Sequence, residues 1–79
     1  MPHYFMHLRD STDILLDADG IEMPASKVQA EALRSARNCI AEDARDGRIE
    51  LKFWIDVHDA NDRVVHSLSF ADAVEIVPA

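Results

Sequence analysis

One stretch of this chain, Ser26 to Arg45, carries sustained helical periodicity, while almost everything around it alternates like strand. At steps of about 100°, Val28, Cys39, Ala32, Ala25, Ala36, Ile40, Leu33 and Ala44 share one arc of roughly 160°. Lys27, Glu31, Arg34, Asn38, Glu42 and Arg45 fill the opposite side. An arc that wide suits a helix lying on a sheet and is too broad for a coiled-coil seam. Its centre is alanine, so the helix axis can come close to the sheet. Ser26 with Gln29 reads as a capping box, and Gly47 is placed for a left-handed stop.

The flanking segments supply the sheet. His3 to Arg9 reads as a first strand, with Tyr4, Met6 and Leu8 on one face and His3, Phe5 and His7 on the other. Asp10-Ser11-Thr12-Asp13 is a turn, and Ile14 to Asp17 a short second strand. Asp17-Ala18-Asp19-Gly20 turns again, with Gly20 supplying a positive φ. Ile49 to His58 is the clearest strand; Ile49, Leu51, Phe53, Ile55 and Val57 form the face expected under the helix. Asp59-Ala60-Asn61-Asp62 closes a hairpin onto a fourth strand, Val64 to Phe70. Val74 to Val77 reads as either a short fifth strand or a tail.

The order strand, strand, helix, strand, strand predicts an α+β fold in one domain, residues 1–79. One helix packs on one face of a four-stranded antiparallel sheet of order 2-1-3-4, with hairpins on either side of the crossover. The second face of that sheet has nothing to cover it. A core of this size is marginal without help from a partner or ligand.

Composition closes several routes. The net charge is −7, and no basic cluster interrupts it, so phosphate backbones are repelled and no nucleic-acid partner is expected. The one cysteine, Cys39, excludes an intramolecular disulfide and a Cys-cluster metal site. It falls on the apolar arc and reads as a small buried hydrophobe. The start at Met1 shows no charged n-region followed by an apolar stretch, and no run is long enough to span a bilayer. A cytoplasmic protein without a membrane association is the expectation.

Taken together, several pieces resemble a family of small bacterial domains of unknown function. They are the opening Met1-Pro2-His3-Tyr4-Phe5-Met6-His7-Leu8-Arg9-Asp10 and the acidic turn Asp17-Ala18-Asp19-Gly20-Ile21-Glu22. The Ala-rich helix piece Glu31-Ala32-Leu33-Arg34-Ser35-Ala36 and the close Phe70-Ala71-Asp72-Ala73-Val74-Glu75-Ile76 complete the pattern. The resemblance runs over nearly the whole chain. It implies a small stand-alone protein and carries no catalytic roles.

Four histidines invite a metal site. His3 and His7 share a strand face but lie about 13 Å apart along it, too far to hold one ion. A site would need one of them with His58 and Asp56 across the sheet; partly exposed strand histidines are the simpler expectation, with no metal and no cofactor. Asp17, Asp19, Gly20 and Glu22 resemble part of a calcium loop, but Leu15 and Ser26 stand where ligands belong, so an Asx turn accounts for them. His66 is at the wrong alternation to share a face with Ser67 or Ser69, and no nucleophile sits in a recognisable setting. The expected site is therefore an interface on the open sheet face, formed by Phe5 and Trp54 with His3, His7, Asp56 and His58. It predicts a non-enzymatic module that binds a protein, either a second copy as a homodimer or another chain. An antitoxin-like or regulatory partner and a His/Asp metal-dependent enzyme are the alternatives.

Overall fold

A computed structural model describes residues 1–79. The chain runs β1 (His3–Arg9), β2 (Ile14–Leu15), β3 (Ile21–Glu22), a 3-10 turn (Ala25–Lys27), α1 (Val28–Arg45), β4 (Trp54–His58), β5 (Val64–Ser69) and α2 (Phe70–Ala73). The sheet order is β2-β1-β4-β5, with β3 also pairing to β1, and every pairing is antiparallel. The fold is thus α+β with the expected strand order.

Register sorts the side chains into rows. Met6, Val57 and His66 form one row across β1, β4 and β5, and Leu8, Ile55 and Leu68 the next. These rows lie under α1, which contributes Val28, Ala32, Ala36 and Ile40. Ala32 and Ala36 are 0% exposed, so the small centre of the helical arc does let backbone approach sheet. Tyr4, Met23, Phe70 and Ala73 complete the core. Cys39 is half-buried, and burial first, then Glu42 and Asp43, pushes its thiol above the ordinary value, which suppresses the thiolate.

Both ends of α1 are informative. The N-terminus is not closed by a capping box: the chain enters through the 3-10 turn, where Lys27 N–H donates to Pro24 O at 2.9 Å, and neither helical segment has a side-chain cap. The turn displaces Ser26 from the cap position. At the far end, Gly47 N–H donates to Ala44 O at 3.0 Å and Arg48 N–H to Asp43 O at 3.2 Å, with Gly47 at φ 84°. That pair of bonds is a Schellman stop, as the glycine predicts.

Four strand boundaries differ from the sequence expectation, the first being the second strand, which ends at Leu15 where Asp17 was expected. The strand expected over Ile49 to His58 begins at Trp54, because its partners run out there: Trp54 faces Arg9 at the end of β1 and Ser69 at the end of β5. Ile49 is consequently exposed, while Phe53 still packs on the core. The fourth strand stops at Ser69, whose Oγ accepts from Ala71 N–H at 3.2 Å and starts α2. Val74 to Val77 is no strand; its Ile76 and Val77 are exposed, and the fifth strand is instead Ile21–Glu22 on β1. No helix is long and apolar enough to cross a membrane.

Candidate functional site

The face of the sheet away from α1 carries three rows read from the same register. Phe5, His58 and Val64 form one; His7, Asp56 and Ser67 the second; Arg9, Trp54 and Ser69 the third. Phe5, His7, Trp54, Asp56 and His58 therefore share one surface, as the alternation predicts. His3 continues it along β1 beside β3. The rings form a ladder: His3 to Phe5 centroids are 5.0 Å apart, Phe5 to His7 6.3 Å and nearly parallel, and His7 meets His58 edge-on at 4.5 Å.

The face is not wholly bare. The segment after β2 folds over part of it, held by Asp17. One Asp17 carboxylate oxygen accepts from Met6 N–H at 3.1 Å, and the other from Gly20 N–H at 3.1 Å and Asp19 N–H at 3.3 Å. This is the Asx turn expected of the acidic cluster, with Gly20 at φ 66°. Burial pushes the Asp17 carboxyl up, but the donors on Gly20, Met6 and Asp19, with the nearby His7, outweigh it and leave it below its ordinary value.

His3, His58 and His66 are partly exposed, as anticipated, but His7 is not. His7 is only 7% exposed, because the Asp17 segment covers it. Its Nδ1 accepts from Asp17 N–H at 3.0 Å, which places the proton of the neutral ring on Nε2. His3 donates from Nε2 to Asp19 O at 2.8 Å, and His58 pairs through Nδ1 with Asp62 Oδ1 at 2.8 Å. His3 and His7 are thus oriented by the segment over residues 17–20 and His58 by the hairpin turn.

Trp54 and Asp56 belong to a second group that the sequence reading left incomplete. Arg9 bonds through Nε to Asp56, and its guanidinium sits 4.9 Å from the centroid of the Trp54 ring. Ser67 Oγ donates to the other Asp56 oxygen at 2.7 Å. Burial pushes the Asp56 carboxyl up, but Arg9 and Ser67, with the nearby His58, outweigh it and hold it below its ordinary value. Asp56 is thereby spent on its neighbours and is not available to an ion. Arg9 and Ser67 alternate in step with His7 and Asp56, and that alternation was the signal for including them.

Between the Asp17 segment and the hairpin lies an open groove of about 410 Å³, lined by Phe5, His7, Leu16, Asp17, Asp59 and Asp62 among others. Asp59 uses one oxygen to hold its own turn, accepting from Asn61 N–H at 2.9 Å and Arg63 N–H at 3.0 Å. Asp62 adopts φ 63° in the hairpin turn, a left-handed conformation that aspartate tolerates. Its carboxylate, with His7 and His58, offers ligand atoms that all lie within 4.8 Å of one another. The histidine pairing considered for a metal site therefore exists, with Asp62 in place of Asp56. No sequence spacing announces Asp62, because the hairpin alone returns it to the ring of His58.

Two observations place the chain among known proteins. No curated protein and no solved structure matches it. The family model described as a domain of unknown function (DUF6894) matches residues 3–71, so the chain belongs to that family.

Proposed function

We propose that this chain is a non-catalytic binding module of the bacterial cytoplasm that holds another protein on its open sheet face. The observation that carries the reading is the one-sided helix: α1 covers the Met6 and Leu8 rows, while the Phe5 and Trp54 rows face outward. An aromatic patch with a polar rim is the composition of a protein interface. Trp54 is 37% exposed and already gripped by Arg9, so it offers contact area at little cost in side-chain freedom. Leu16 is exposed, lines the groove and extends the apolar area. The acidic rim of Asp59 and Asp62, within a chain of net charge −7, selects a partner with basic side chains around an apolar anchor.

The test is a crosslinking pull-down from the native cell with wild type and Trp54→Ala, followed by affinity measurement on the purified partner. Binding weakened about tenfold or more by Trp54→Ala, and by added salt, is the expected result for a central aromatic anchor with charged surroundings. A partner held equally well by both proteins sinks the reading. Self-association into a homodimer is a second reading. It is favoured by the unpaired outer edge of β5, where Val64 and Val65 are exposed, and opposed by the repulsion of two acidic copies. Sedimentation of wild type at high micromolar concentration separates the two.

A further inference from the structure

We propose that His7, His58 and Asp62 form a binding site for a borderline divalent transition-metal ion, with zinc as its representative. The three side chains come from β1, β4 and the β4–β5 turn, and their ligand atoms lie within 4.8 Å of one another. Two ligands on one zinc ion at about 2.0–2.2 Å stand roughly 3.4 Å apart in tetrahedral geometry, so a small closure completes the set. His58 and Asp62 are already 2.8 Å apart, and Asp62 sits on an exposed turn that can close over the ion. The groove gives access from solvent, since both His7 and Asp62 line it. Two imidazoles and one carboxylate suit zinc, nickel or copper; calcium and magnesium demand more oxygen ligands than the cluster holds. Three protein ligands leave a coordination position for water.

The hydrogen bond on His7 gives this site a specific consequence. Ligation through Nδ1 takes the lone pair that Asp17 N–H now uses. Ligation through Nε2 moves the ring proton to Nδ1, where it faces the same N–H, and two donors cannot bond each other. Through either nitrogen, the ion deprives Asp17 N–H of its partner. Metal occupancy is therefore coupled to release of the segment that covers His7.

The experiment uses the full chain without a histidine tag, titrated with zinc chloride by calorimetry, with magnesium chloride as control. One zinc per chain is expected, with no magnesium uptake. Affinity falls about tenfold or more in His58→Gln and in Asp62→Asn, and stays unchanged in His66→Gln, whose ring lies in a core-face row. In ¹⁵N spectra the Asp17 amide shifts and exchanges faster when zinc is added. No zinc uptake at millimolar concentration overturns the proposal. So does uptake that survives both His58→Gln and Asp62→Asn, which marks an adventitious ion only, and so does zinc uptake that leaves the Asp17 amide unmoved. None of these outcomes depends on a protein partner.

Discussion

The backbone N–H of Asp17 donates to Nδ1 of His7 at 3.0 Å, so a strand histidine holds down a loop ten positions further along the chain. The bond is reciprocal in effect, because the Asp17 carboxylate grips Met6 N–H beside that same histidine. Strand and loop are thus fastened by two hydrogen bonds between adjoining residues. This fastening converts a flat sheet face into one with a groove.

The paired carboxylates predict an acid limb in the stability of the metal-free protein. Asp17 and Asp56 both lie below their ordinary values despite burial, because donors and Arg9 favour the ionised form. A depressed folded-state value means that the stabilisation is fully present above the unfolded value, near pH ~4, and is lost as pH falls through the folded values. Urea midpoints measured from neutral pH downward should drop below about pH 5. The gap between wild type and Asp17→Asn should shrink over that limb; a constant gap would contradict the assignment.

The two left-handed glycines should respond differently to alanine. At Gly20 an added Cβ would lie 2.5 Å from Tyr4 O and 2.6 Å from His3 Nε2, while at Gly47 it would meet nothing within 4 Å. Gly47→Ala carries only the conformational strain of a positive φ, about 1 kcal/mol. Gly20→Ala adds a backbone clash and should cost clearly more, in the range of about 2–4 kcal/mol. Chemical denaturation of both variants checks the order, and equal losses would argue against the tight packing under Gly20.

Serine substitutions discriminate between the two helix starts. Ser26→Ala should change stability by less than about 0.5 kcal/mol, because no cap is formed there. Ser69→Ala removes the acceptor for Ala71 N–H and should cost about 1 kcal/mol. Thermal unfolding of the pair reads the difference directly. A larger loss at Ser26 would restore the capping box.

The core should be intolerant in both directions. Phe70 is 1% exposed and packs against Phe53 with ring centroids 5.7 Å apart. Phe70→Ala should cost about 3–5 kcal/mol, enough to unfold much of a chain this small. Ala36→Leu inserts bulk where the helix has no clearance and should cost about 1–3 kcal/mol. Far-UV circular dichroism with urea titration measures both. A neutral Ala36→Leu would show slack between helix and sheet.

Periodicity carried the reading of the sheet because it depends only on alternation and register. The even residues of β1 and the odd residues of β4 face α1, and the rest followed from that. What periodicity could not supply were boundaries set by partners. Ile49 to Phe53 alternate like strand, yet no strand runs beside them. The capping box at Ser26 failed for a related reason: Pro24 and the 3-10 turn decide where the helix begins, and side-chain chemistry does not override them. The expectation of partly exposed histidines failed at His7 alone, because its cover comes from a loop, whose path no alternation pattern encodes. Asp62 escaped notice in the same way. The surface as a whole was readable, and its relief was not.

Trp54 is the one tryptophan in the chain, and the cation that touches it is tied to a carboxylate buried beneath the same face. Its fluorescence is therefore an optical gauge of this surface alone. An occupant that displaces Arg9 will change the emission without unfolding the core, and unfolding will shift it by a separate amount. The far side, under α1, contains no indole and stays silent. The molecule thus reports from the face where its function is proposed, without an added label.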